Sequence, residues 1–116
     1  MSLSDIEDIG FDVDIVLYAE REPGVRQGTF IFKFDYESDA IDKRDYLFTS
    51  ICEQSERRFA FTEVRIGDPD VIVQKLILFE CVGDISIQDQ EDGTWWVIMV
   101  GIQTPYRPDQ KVENVG

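Results

Sequence analysis

In the run Thr94-Trp95-Trp96-Val97-Ile98-Met99-Val100-Gly101-Ile102-Gln103-Thr104, both alternating sets of side chains are apolar. Successive side chains of a strand point to opposite faces, so Trp96, Ile98, Val100 and Ile102 share one side and Trp95, Val97 and Met99 the other. Such a strand must be covered on both faces, by the domain's own helix and a second sheet or by another chain. The same demand recurs upstream in Val71-Ile72-Val73 and Leu76-Ile77-Leu78-Phe79. Gln90-Glu91-Asp92-Gly93 lies between the two arms, and Asp-Gly is the strongest short signal of a hairpin turn. Residues 71–104 therefore read as one long hairpin. Its first arm, to about Gln88, bends at Cys81-Val82-Gly83-Asp84, since glycine marks bulges and bends. Pro105 and Pro108 end the pairing of the second arm.

Working outward from the hairpin, Phe30, Phe32, Phe34 and Tyr36 alternate with Thr29, Ile31, Lys33 and Asp35. This predicts a strand with one aromatic face, which is core by default. A stacking platform for single-stranded nucleic acid would need surrounding Lys and Arg that are largely absent. Before it, Val13, Ile15 and Leu17 oppose Asp12, Asp14, Val16 and Tyr18 from Asp12 onward, a half-buried strand, and Glu22-Pro23-Gly24 supplies turn chemistry. Residues 38–58 read as the helix, with Ser38 or Asp39 as N-cap and Arg57 and Arg58 at its end. Ala40, Ile41, Leu47, Phe48, Ile51 and Cys52 form its apolar arc, and Arg44 points into that arc, to snorkel or to pair with a carboxylate. Residues 59–66 follow as a strand with a face switch or bulge, then the loop Gly67-Asp68-Pro69-Asp70. The fold class is α+β: an antiparallel sheet or small β-sandwich with one flanking helix and a long C-terminal β-hairpin. A single domain spans 1–116, with an acidic N-terminal arm over 1–11 and a C-terminal tail over 105–116.

Charge limits the partners. The 116 residues carry 24 Asp and Glu against 11 Lys and Arg, a net charge of -13. That sign repels phosphate backbones and anionic membranes, so the expected partners are proteins with basic surfaces, or cations, with no direct nucleic acid and no membrane. Solubility alone also explains a net charge far from zero. The start Met1-Ser2-Leu3-Ser4-Asp5 lacks the basic and apolar regions of a secretory signal, and no apolar stretch approaches the ~20 residues that span a bilayer. A cytoplasmic protein is expected, or one released only by lysis. Cys52 and Cys81 sit in apolar periodic segments without CxxC or Cys/His spacing, which favours buried free thiols over a disulfide.

There is no histidine. Its absence removes Ser-His-Asp and Cys-His catalysis and the commonest metal ligand together. None of Lys33, Lys43, Lys75 and Lys111 lies in a Ser-x-x-Lys setting. The carboxylate pairs Asp12/Asp14 and Asp68/Asp70 and the cluster Asp89, Glu91 and Asp92 are of a kind that abundance alone produces, and a glycosidase pair needs a cleft this chain is too small to build easily. Against an EF-hand loop, residues 88–99 place Gly93 correctly but put Gln88, Gln90 and Met99 at ligand positions, so the motif fails. No GxGxxG or GxxxxGK[ST] occurs. The chain is expected to be neither an enzyme nor a cofactor or metal binder.

The order of elements over 12–104 resembles the small ring-forming tail and neck proteins of tailed bacteriophages, which combine a compact β-sandwich, one flanking helix and a long hairpin. The resemblance implies a structural virion component, homo-oligomeric or held in a larger assembly, whose hairpin tip and N-terminal arm make contacts between subunits. The candidate interface residues are Asp5, Glu7 and Asp8 in the arm, Gln90, Glu91 and Asp92 at the tip, and Trp95, Val97 and Met99 in the return arm. The alternative is an acidic inhibitor, of anti-CRISPR, anti-restriction or immunity and antitoxin type, occupying a basic nucleic-acid groove. Charge layout discriminates the two: acids along one ridge favour mimicry, scattered acids with an apolar surface favour assembly.

Overall fold

A computed structural model describes residues 6–66 and 72–103, with side chains described except at 63–66 and 72–75. Asp5, the Asp68/Asp70 loop and the tail over 105–116 lie outside the described residues. The fold is α+β: the described residues form a six-stranded sheet with one α-helix rather than a two-sheet sandwich. The strands are β1 (Glu7–Asp8), β2 (Ile15–Glu22), β3 (Val25–Phe34), β4 (Arg58–Ile66), β5 (Ile72–Asp89) and β6 (Trp95–Gln103). Their order is β1-β4-β5-β6-β3-β2, antiparallel throughout except for the parallel β1–β4 pair.

The expected hairpin is β5–β6, and β6 lies at the centre of the sheet between β5 and β3. β5 is long enough to serve two neighbours: Ile72 to Glu80 pair with β4, and Phe79 to Asp89 pair with β6. The change of partner occurs near the anticipated bend. The register slips between Val82 and Ser86, where Gly83 takes a φ of 69° that an L side chain would resist. β4 keeps an unbroken register from Arg58 to Ile66, so the face switch expected there is absent. Phe59 and Ala60 are both buried because Phe59 enters the core while Ala60, on the other face, lies beside the N-terminal segment, where its carbonyl accepts a bond from Ile9.

Register fixes the faces, since side chains of residues paired across neighbouring strands share a face. Val16, Phe30, Phe32, Val97, Met99, Phe79, Phe59 and Ile85 line one face, and the helix α1 (Glu37–Leu47) lies on it through Ala40 and Leu47. Phe30 meets Phe59 edge-on at 5.1 Å and Phe79 at 5.0 Å, while Phe59 and Phe79 stack at 5.6 Å. Geometry of this kind adds roughly 0.5–1.5 kcal/mol per pair to the burial of the rings themselves.

Three details of the expected elements change. The helix ends well before residue 58: Phe48–Cys52 form a π-helical turn, closed by the Glu53 amide donating to the Phe48 carbonyl at 2.9 Å. That wider turn leaves Phe48 48% exposed and keeps Ile51 and Cys52 toward the sheet, while Arg58 opens β4. Tyr36 occupies the N-cap without a side-chain bond, two or three residues ahead of the expected Ser38 or Asp39, and is exposed rather than core. β2 begins at Ile15, and its core-facing residue is Val16; Leu17 points away and is 56% exposed. Val13 still packs on the core because it precedes the strand and escapes its alternation.

Candidate interaction surface

The second face of the sheet carries no helix among the described residues; its centre is aliphatic, between rows that contain Gln27 and Glu80 on one side and Lys33 and Gln88 on the other. Leu17, Thr29, Val100 and Val82 form one row across β2, β3, β6 and β5; Ile15, Ile31, Ile98 and Ser86 form the next. Trp96 and Ile102 extend the β6 column at either end. Ile31 is buried by its neighbours, while Ile15, Val82, Ile98, Val100 and Ile102 remain half-buried. Side chains that would be dry in a sandwich are thus only half-buried here, and among the described residues no helix covers the Trp96, Ile98, Val100 and Ile102 side of β6.

This geometry redistributes the expected interface residues. Val97 and Met99 are fully buried beneath the helix and offer no contact surface; Trp95 shares their face and packs against the same cluster. The outward set of β6 is Trp96, Ile98, Val100 and Ile102. At the hairpin tip Gln90, Glu91 and Asp92 are on the loop between Asp89 and Trp95, but the acids serve the turn itself. Asp89 accepts from the Glu91 amide at 2.9 Å and Asp92 from the Thr94 amide at 2.9 Å. The Thr94 hydroxyl also donates to Asp92, and these bonds hold that carboxyl below the usual carboxylate range.

Among the described residues, Glu7, Asp8, Asp12 and Asp14 each bond to the fold. Asp8 accepts from the Gly10 amide at 2.9 Å and from the Thr62 hydroxyl at 2.6 Å, closing the outer edge of β4, while Ile9 enters the core. Glu7 accepts from the Tyr46 hydroxyl at 2.7 Å, which raises the phenol's pKa because the bond requires its proton. Asp12 pairs with Lys43 on the helix at 3.1 Å, and Asp14 accepts from the Lys33 amide at 2.6 Å. Arg44 pairs with Asp45 at the surface. Glu7 and Asp12 thus both lie by the helix, at neighbouring Tyr46 and Lys43.

Sequence pattern missed one cluster. Cys52 and Cys81, both free, approach with sulfurs 3.8 Å apart, and the Arg57 guanidinium lies over both, with Nη2 3.6 Å from Cys52 Sγ and 3.9 Å from Cys81 Sγ. Burial pushes the Cys81 thiol up to about 11, with the Arg57 contact opposing the shift. The only signal available in the sequence was that both cysteines occupied apolar phases. No group of three or more His, Cys, Asp or Glu side chains among the described residues is arranged to hold a metal ion. A depression of ≈ 420 Å³ at the β2–β3 turn, bordered by Tyr18, Glu20, Val25 and Arg26, is open to solvent. No helix among the described residues is long and apolar enough to cross a membrane.

No family model, curated protein or solved structure matches the chain, so the functional reading rests on geometry.

Proposed function

We propose that this chain is a non-catalytic assembly protein that docks through the helix-free face of its sheet, as a structural component of a larger particle of the phage tail or neck type. The observation that carries the reading is the aliphatic group of Ile15, Leu17, Ile98, Val100 and Val82, with Leu17 exposed and the others half-buried, on a sheet face that no helix covers among the described residues. Covering such a face removes apolar surface from water at roughly 25 cal/mol per Å², the usual driving force for association. The partner is a protein presenting an apolar patch flanked by Lys and Arg, because a net charge of -13 repels a second acidic chain and attracts a basic one. The absence of histidine and of phosphate-binding motifs is compatible with a role that makes no bonds.

Size-exclusion chromatography with light scattering, across salt and Mg²⁺ concentrations and beside particles from the natural source, tests the reading. The chain is expected in a species heavier than its 13.4 kDa monomer. Homo-oligomers that strengthen with salt would replace the basic partner by a second copy. A salt-independent monomer absent from every particle would refute the proposal.

A further inference from the structure

The cluster around Arg57 is more elaborate than two buried thiols require. Cys52 closes the π-helical turn and Cys81 lies on the core face of β5, just before its bend, so two separate elements bring the sulfurs into contact at 3.8 Å. Arg57 stands between them in the left-handed region, at a φ of 53°, which an arginine adopts only where its surroundings impose it. Its carbonyl accepts the Cys81 amide at 2.8 Å, and its Nη2 donates to the Gly83 carbonyl at 2.7 Å while touching both sulfurs. Its Nε is buried with no partner. The backbone is thus bent so that one guanidinium contacts both sulfurs and holds the two cysteines side by side.

We propose that Cys52 and Cys81 are a redox-active dithiol that a low-molecular-weight disulfide converts to an intramolecular disulfide, with Arg57 as the positioning residue that holds the two sulfurs together. Cys52, the less buried, loses its proton to solvent and attacks one sulfur of the oxidant, forming a mixed disulfide and expelling the first thiolate. Cys81 then gives up its proton and attacks Cys52 Sγ, forming the Cys52–Cys81 bond and expelling the second thiolate. Two electrons and two protons pass from the dithiol to the oxidant, which leaves as two thiols. Closure from 3.8 Å to a bond length of about 2.05 Å brings the sulfurs together by about 1.8 Å. Burial raises the Cys81 thiol, which suits a sulfur that reacts second, once the mixed disulfide is beside it. The oxidised form pins the 53–57 turn to β5 at its bend, and this site lies on the helix side, independent of the sheet-face reading.

The full chain, reduced and then equilibrated in graded mixtures of oxidised and reduced glutathione, is acid-quenched, alkylated and mapped by mass spectrometry. The expected product is a monomer linked Cys52–Cys81, appearing at a single two-electron midpoint. Cys81→Ser should trap glutathione on Cys52, whereas Cys52→Ser should leave Cys81 unmodified while the fold persists. Arg57→Gln should slow closure by about tenfold and move the midpoint, with Arg57→Lys restoring most of the rate, a charge dependence that mere packing would not produce. Persistent free thiols in the folded chain under the most oxidising mixture, stable glutathionylation of the unmutated chain, or disulfides only between chains would each overturn the proposal.

Discussion

Gly101 lies on the core face of β6, opposite Gly28, where the rings of Phe30, Phe59 and Phe79 converge. A methyl group at position 101 would lie 2.5 Å from Phe59 Cζ, 2.8 Å from Phe59 Cε1 and 3.0 Å from Phe79 Cβ. Carbon pairs are most stable at roughly 3.5–4.0 Å, so the Phe59 ring would have to retreat by about 1 Å. It has nowhere to go: the ring is fully buried, edge-on to Phe30 and stacked on Phe79. Overpacking of a dense core costs roughly 1–3 kcal/mol, and the lower chain entropy of an unfolded Ala returns roughly 0.4–1 kcal/mol. Gly101→Ala is therefore expected to destabilise by about 1–2 kcal/mol, a fall in Tm of about 4–8 °C at this chain length. Urea unfolding followed by Trp95 and Trp96 fluorescence, with calorimetry, measures it. In a Phe59→Leu background the same substitution should cost less, because the obstructing ring atoms are gone. A Gly101→Ala chain as stable as the parent, or equal costs in both backgrounds, would refute the aromatic packing described.

Met99→Ala should cost about 2–5 kcal/mol through cavity formation, whereas Val100→Thr, one residue along on the open face, should change stability by less than about 1 kcal/mol; chemical denaturation separates them. Asp8→Ala removes the acceptor of the Gly10 amide and the Thr62 hydroxyl, and should lower stability by about 2 kcal/mol while hastening amide exchange at Thr62, read by NMR. Cys81 titrates near 11 in the folded chain against an ordinary value of 9.0, so between about pH 9 and 11 only the unfolded chain releases this proton. Stability should decline through that window by about 2–3 kcal/mol, and Cys81→Ala should flatten the decline in denaturation curves measured across pH.

The β5–β6 hairpin, its bend and tip, the aromatic face of β3 and the presence of one helix were legible because each has a local cause: alternation, a glycine, or a turn residue. The orientation of β6 was not, since Trp95-Val97-Met99 and Trp96-Ile98-Val100 are equally apolar; the helix's choice of face decided it. The helix terminus was hidden because Phe48–Cys52 continues the apolar arc while changing to a π-helical turn, so Arg57 and Arg58 resembled a basic helix end. The acids at 7–14 read as a solvated arm because pattern counts charge and not partners, whereas Asp8 and Asp12 are fixed by Thr62 and Lys43, distant in sequence. Of the candidate surface, the apolar character of both sides of β6 was visible in the alternation of Trp95 to Ile102. Which other residues lie beside β6 was not, because Leu17 joins the aliphatic group only through the β2–β3 register.

Oxidative side-chain footprinting of the chain, free and within complexes isolated from its natural source, addresses the docking face most directly. Protection is predicted at Leu17, Trp96, Ile98, Val100 and Ile102, with Phe11, Tyr36 and Phe48 labelled equally in both states. Protection confined to those helix-side aromatics or to the tip residues Gln90, Glu91 and Asp92, with the aliphatic face still reactive, would contradict the account.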